Sequence, residues 1–206
     1  MASNPVKLTI QATDTDGIAQ SQNPAGAGDL TLNGVLVSGG VATLSAAHIL
    51  TLACTSNETG ETWTVYGTDA DGNSISEAVA GVNNTSTNTT KYFKTVTQIT
   101  VTAAATGMTV GHTSTNGCVS QSIKLSPPRH GKKVSWQVNI PTGGTATYTV
   151  QHTLMQTPGA VWNSNASYTG LTANSDGYYL APVRSIRLQS TAMSSSIELH
   201  PFETEE

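Results

Sequence analysis

Charge is scarce in this chain. Only 11% of its 206 residues are Asp, Glu, Lys or Arg, and the net charge is −4. No basic block or stripe of Lys and Arg occurs, so binding to nucleic acid through phosphate neutralisation is not expected. No apolar run approaches the ~20 residues needed to span a bilayer, so no membrane partner is expected either. The N-terminus, MASNPVKLTI, has no charged segment leading into an apolar one, which argues against Sec export. The Asn-x-Ser/Thr triplets at Asn57, Asn84 and Asn165 are then by-products of a composition rich in Asn and Thr. Aromatics make up 5% of the chain, and there are two cysteines, Cys54 and Cys118. They lie 64 positions apart without CxxC spacing, too few for a zinc site that wants four ligands. In a reducing cytosol they read as two small buried hydrophobes rather than a disulfide.

What the chain does have is Thr, Ser, Asn, Gly and evenly spaced Val, Ile and Leu to its end. Thr suits a pleated surface, while Gly, Asn and Ser suit frequent turns, so the composition predicts an all-β protein. The pattern is clearest from Glu61 to Ala103. Trp63 and Val65 alternate with Thr62, Thr64 and Tyr66, and Asp69, Asp71, Gly72 and Asn73 supply a turn. Ile75, Glu77 and Val79 carry the return strand, Gly81 to Thr90 reads as a polar loop, and Tyr92 to Thr102 as a third strand. Tyr92, Lys94 and Val96 share one parity and Ile99 and Val101 the other, which predicts a one-residue bulge near Thr97. A three-stranded meander of this kind needs a second sheet to cover it.

Upstream, Val6, Leu8 and Ile10 predict a short strand, and Asp14 to Gly28 a polar connection. Leu30 and Leu32 begin another strand, Asn33-Gly34 turns it, and Val35 and Val37 follow. Ser38-Gly39-Gly40 leads into Val41 to Leu44, and Ala46 to Leu52 is strand in preference to a short helix. Met108, Val110 and the turn at Gly111 close this half. Pro127-Pro128 removes two ladder donors and marks a boundary. Beyond it, Val134, Trp136, Val138 and Ile140 share a face, Pro141 to Gly144 turns, and Tyr148, Val150, His152 and Leu154 return, which predicts a hairpin. Pro158 to Asp176 is a long loop holding Trp162 and Tyr168, and Val183–Leu188 with Ile197–Phe202 reads as a terminal antiparallel pair. The expected architecture is two consecutive antiparallel β-sandwiches, 1–125 and a jelly-roll-like 126–206, with an acidic tail at Glu203 to Glu206.

Residues with reactive side chains are present but not arranged for chemistry. Asp69 to Asn73 and Asp14 to Gly17 resemble the start of a calcium loop, yet the twelfth positions are Ala80 and Ala25 where a bidentate Glu is required. None of His48, His112, His130, His152 and His200 is spaced from another as a metal ligand, and His152 reads as a core histidine bonded to a backbone group. No GxSxG elbow occurs. Glu61 and Glu77 sit where edge charges guard a sheet, rather than as a pair for glycoside cleavage. Neither catalytic residues, nor metal, nor cofactor is therefore expected. Trp162 and Tyr168 are the candidate binding residues, as stacking rings for a sugar, against the plainer reading that they cap the end of the second sandwich.

DTDGIAQSQNPAGAGDLTLNGVLVSGGVATL, ETWTVYGTDADGNSISEAVAG and KYFKTVTQITVTAAATGMTVG, taken with GTATYTVQHTLMQ and TANSDGYYLAPVRSIRLQST, resemble a family of bacteriophage virion proteins. The likeness runs from about Asp14 to Leu199. It implies a structural component of the head, such as a capsid decoration or cement protein, or a head–tail accessory subunit, assembled in the host cytoplasm. The partners it implies are the major capsid protein or neighbouring virion subunits, with a homotrimer favoured by analogy to capsomer three-fold points. The alternative is a receptor- or glycan-binding module of a tail or head fibre, with the Trp162 and Tyr168 loop as its contact surface.

Overall fold

The computed structural model describes residues 4–9, 11–126, 133–155, 160–180 and 183–204. Among them the chain is almost wholly antiparallel β, with no α-helix and a single 3-10 turn at Ala166–Tyr168. Seventeen strands form: β1 (Val6–Leu8), β2 (Asp14–Gln22), β3 (Gly28–Asp29), β4 (Val37–Ser38), β5 (Val41–Ala53), β6 (Thr62–Thr68), β7 (Ser74–Ala80), β8 (Ser86–Val101), β9 (Met108–His112), β10 (Cys118–Val119), β11 (Ile123–Lys124), β12 (Lys133–Asn139), β13 (Ala146–Thr153), β14 (Asn163–Ser164), β15 (Ser175–Tyr179), β16 (Ser185–Met193) and β17 (Ile197–Thr204). The expected all-β, sandwich-type class is what the chain adopts.

The strands gather into two compact units. One is 11–116; the other is 117–206 together with 1–10. Sequence reading divided the chain at 125/126 on the strength of Pro127-Pro128, which lie outside the described residues along with Ile10, His130, Pro158, Glu205 and Glu206. The N-terminal segment belongs with the C-terminal unit because β1 pairs with the last strand, Val6 opposite Leu199 and Leu8 opposite Ile197.

In the unit 11–116 the strands run β2-β9-β5-β8-β6-β7, with β3 beside β8 and β4 beside β5. Trp63 and Val65 of β6, Phe93, Val96 and Ile99 of β8, and Leu50 and Leu52 of β5 fill its core. The β6–β7 turn forms as predicted. Asp69 Oδ1 accepts the N–H of Asp71 and of Asn73 at 2.9 Å each, and Gly72 takes φ +83°, which a Cβ would oppose. The bulge also falls where the parity slip put it. Tyr66 faces Gln98 and Gly67 faces Val96, leaving Thr97 as the extra residue. Gly67 permits this because a Cβ there would lie 1.9 Å from the Thr95 carbonyl oxygen. Phe93 is buried rather than Tyr92 or Lys94, so a second irregularity separates Phe93 from Val96, matched by the register shift between Thr43 and His48.

Three expectations in this half are corrected. Asp14–Gln22 is a strand, not a connection, because Ile18 and Ala19 are fully buried and the strand pairs with β9. Leu30 to Val35 forms no strand. It lies along β2, where side-chain amides supplement a backbone bond from Gly34 N to Ile18 O: Gln22 accepts from Thr31 N and donates to Thr31 O at 2.9 Å each, and Asn33 accepts from Gln20 N at 2.8 Å. The polar stretch before Tyr92 is strand from Ser86 onward. Its Thr and Asn side chains are exposed or hydrogen-bonded, while its backbone completes the ladder to Thr51–Ala53.

In the second unit one sheet runs β1-β17-β12-β15 and the other β14-β13-β16, with β10 and β11 both on the far edge of β16. Val134, Trp136 and Val138 of β12 are buried, as are Ile197 and Leu199 of β17, and Tyr148, Val150, Ile186 and Leu188 of β13 and β16. The Tyr179 hydroxyl donates to the Val150 carbonyl at 3.2 Å and so bridges the two sheets. Two predicted pairings do not form. β12 and β13 alternate as read, but belong to different sheets, so their apolar faces meet across the core instead of lying side by side. The same is true of β16 and β17. Alternation fixes which face a strand buries, and it is silent about which neighbour shares the ladder.

Candidate functional site

Strand β15 carries two tyrosines in succession, and the pleat sends them to opposite faces. Tyr179 is buried. Tyr178 is 49% exposed on the outer face of the four-stranded sheet. In register with it across β12 and β17 are Ser135 and Phe202, and Phe202 is 46% exposed. With strands about 4.8 Å apart, two aromatic rings flank Ser135 at a backbone spacing of about 10 Å. Lys133 places its ammonium 4.2 Å from the centre of the Tyr178 ring. The next row is polar, Asp176, Gln137 and His200, and His200 Nε2 lies 3.3 Å from the Glu198 carboxylate. This face was not singled out in the sequence. The signal was there as Gly177-Tyr178-Tyr179, where adjacent aromatics on a strand force one of them outward.

Tyr168, one of the two predicted binding residues, is half-buried against Trp136 and Tyr179. Its ring stands edge-on to Trp136 (centroids 4.8 Å, 89°) and to Tyr179 (5.4 Å, 86°), favourable geometry for aromatic quadrupoles. Its hydroxyl donates to the Tyr178 carbonyl at 2.9 Å and accepts from the Tyr178 N–H at 3.2 Å. Asn165 caps the short 3-10 turn that delivers it, accepting from Ser167 N at 2.9 Å. The structure brings Trp162 to different company. Its ring lies under the Arg187 guanidinium at 4.2 Å, and Arg187 Nε donates to Gln151 Oε1 at 2.9 Å, which in turn donates through Nε2 to Gln189 at 2.8 Å. The two predicted residues therefore serve two settings, one a packed aromatic corner and the other a half-buried polar cluster.

His152 packs its ring 4.7 Å from Tyr179, and its Nδ1 is buried without a partner among the described residues. Burial lowers its pKa and raises those of Tyr148 and Tyr179, keeping all three neutral near pH 7. Glu61 and Glu77 each have separate partners. Glu61 accepts from the Thr102 hydroxyl at 2.7 Å, and Glu77 from the backbone N–H of Thr90 and Lys91 at 2.7 and 2.8 Å. Glu77 shares the parity of Ile75 and Val79 on β7, the end strand of this order, and its carboxylate reaches past β6 to β8. Both oxygens of Asp69 are taken by the turn, with Oδ2 accepting from Asn73 Nδ2 at 2.9 Å. Both cysteines are buried thiols. Cys54 donates to the carbonyls of Ser56 and Val82 at 3.2 and 3.3 Å, and burial pushes Cys118 up to about 12.

Open depressions lie on the surface among the described residues. One, of about 450 Å³, is lined by Thr145, Thr147, Thr172, Met193 and Ser194 among others; another, of about 330 Å³, lies over Tyr66, Gly67, Ile75 and Thr97. Their walls offer hydroxyls and methyl groups but no acid, imidazole or thiol, so neither is equipped for proton transfer or nucleophilic attack. No known family model matches the chain, and no curated protein matches it in sequence.

Proposed function

We propose that this chain is a non-enzymatic virion structural protein of a bacteriophage, a capsid decoration or cement subunit that binds the outer surface of the shell and stabilises it. The observation that carries this reading is the outward row of Tyr178, Ser135 and Phe202 on the four-stranded sheet. Exposed aromatics that are spaced by a small residue, with a Lys at the margin, have the make-up of a contact patch: an apolar centre and a charged rim. The likeness of the Asp14 to Leu199 phrases to phage virion proteins supplies the partner, the major capsid protein or a neighbouring virion subunit. A trimer is the assembly we favour, by analogy with three-fold sites on shells.

The test is binding of the purified protein to capsids that lack it, together with its mass in solution. Saturable binding at hundreds of copies per particle and a trimeric mass are expected. A strict monomer that binds cells or isolated lipopolysaccharide but not capsids would overturn the reading. That second outcome is the fibre-module alternative, and the Trp162, Arg187 and Gln151 cluster is what favours it, since an indole beside planar amide and guanidinium groups suits sugar hydroxyls.

A further inference from the structure

His48 on β5 and His112 on β9 lie side by side in the unit 11–116, with ring centroids 4.7 Å apart and planes tilted by 57°. Both are essentially inaccessible, at 1% and 0% exposure. None of their four ring nitrogens has a hydrogen-bond partner. Buried polar atoms are nearly always paired, so four orphans in one contact are an anomaly that packing alone does not require. A leucine or phenylalanine would fill the same space without that cost.

The charges around the pair explain what it is suited to. On the β8 side Lys94 holds its ammonium on the carbonyls of Leu44 and Ser45, the latter at 2.9 Å, and its field opposes a second positive charge at His48. On the β2 side Asp14 stands opposite His112 in the ladder and favours its charged form. The carbonyls of Gln11 and Ala12 lie near His112 and act in the same sense, although neither reaches it with the geometry of a hydrogen bond. Burial outweighs these at His112, so both imidazoles are held below their ordinary value, His48 to about 4, by burial first, then by His112 and Lys94. A divalent cation is a poor occupant. The described residues hold no group of three metal-ligating side chains, and the Lys94 charge would repel it.

We propose that His48 and His112 form an acid-sensitive latch across the β5–β9 pairing: neutral, they pack as two rings, and on protonation they open that seam of the unit. His112 takes the first proton because Asp14 faces it, and the second charge, at His48, has no counter-ion and forces the rings apart. The direction follows from linkage. A histidine whose pKa is lower folded than unfolded contributes stability that is whole above about 6.5 and is lost as the pH falls towards 4. For His48, with the fields of His112 and Lys94 included, the folding constant falls by up to about 300-fold over that span.

The experiment is an NMR titration of the full chain from pH 7.5 to 4, following the histidine ring resonances, with amide hydrogen exchange at each pH. His48 is expected to hold its neutral shift down to pH 5, and the amides of β5 and β9 to lose protection before those of β12 and β17. Rings that titrate between 6 and 7 while β5 and β9 stay protected would overturn the proposal. His48→Gln and His112→Gln assign the resonances, and their urea midpoints should lose much of the wild-type dependence between pH 6.5 and 4. Unchanged dependence in both folded variants would overturn the proposal as well. Should neither variant fold, the wild-type titration decides the matter alone.

Discussion

Gly177 lies flat against the indole of Trp136. A Cβ on Gly177 would sit 2.5 Å from Trp136 Cζ2 and 2.9 Å from the Tyr168 ring, so the backbone of β15 is one wall of the aromatic corner. Trp136 is 1% exposed and cannot retreat. Gly177→Ala is therefore expected to destabilise the unit by about 1–3 kcal/mol through overpacking. Urea denaturation checks this, and a change under 0.5 kcal/mol would mean that the corner is looser than it stands.

The Glu77 carboxylate does the work of a missing strand. It accepts two consecutive backbone donors of β8, Thr90 N–H and Lys91 N–H, and also the Thr90 hydroxyl at 2.9 Å. Glu77→Ala leaves those donors to water and should cost about 1–2 kcal/mol, with Glu77→Gln recovering part of it because one acceptor oxygen is kept. Hydrogen exchange at Thr90 and Lys91 should rise more than elsewhere in β8. Equal losses for Ala and Gln would argue against this role.

Cys118 has its pKa pushed up to about 12 by burial, and Cys54 is bonded through its thiol to carbonyls. Only a thiolate attacks a disulfide reagent, so the native protein is expected to react negligibly at pH 8, and two thiols should appear on unfolding in urea. Fast labelling of one thiol in the native state would locate an opening that the folded chain does not show.

Replacing Tyr178 and Phe202 together by Ser removes the outward aromatic row. Stability should change by about 1 kcal/mol or less, since both rings are about half exposed and what is lost is strand propensity and one cation–π contact with Lys133. Capsid binding should weaken by about 30-fold, the scale of a hot-spot residue. Unchanged binding would move the contact to another face.

Much of this structure could be read from residue order. Strand positions in 62–80 and 92–101, the Asp69–Asn73 turn and the Thr97 bulge all follow from period-2 patterning and turn chemistry, because those signals are local. The same rules misread Asp14–Gln22 and Ser86–Thr90, whose polar side chains look like loop but whose backbones pair. Which partners Trp162 and Tyr168 meet is not written in their loop: the fold gives Tyr168 to Trp136 and Trp162 to Arg187.

Sequence alone therefore determined the class, all-β with antiparallel strands, and which residues of most strands point inward. Tertiary structure alone decided that β12 and β13 enter different sheets, that β1 joins β17 across nearly the whole chain, and that His48 and His112 touch. The physical reason is range. A side chain's alternation is set by its own backbone, whereas ladder partners and buried pairs are chosen by whichever distant surfaces bury together at the lowest cost, and no local pattern records that choice.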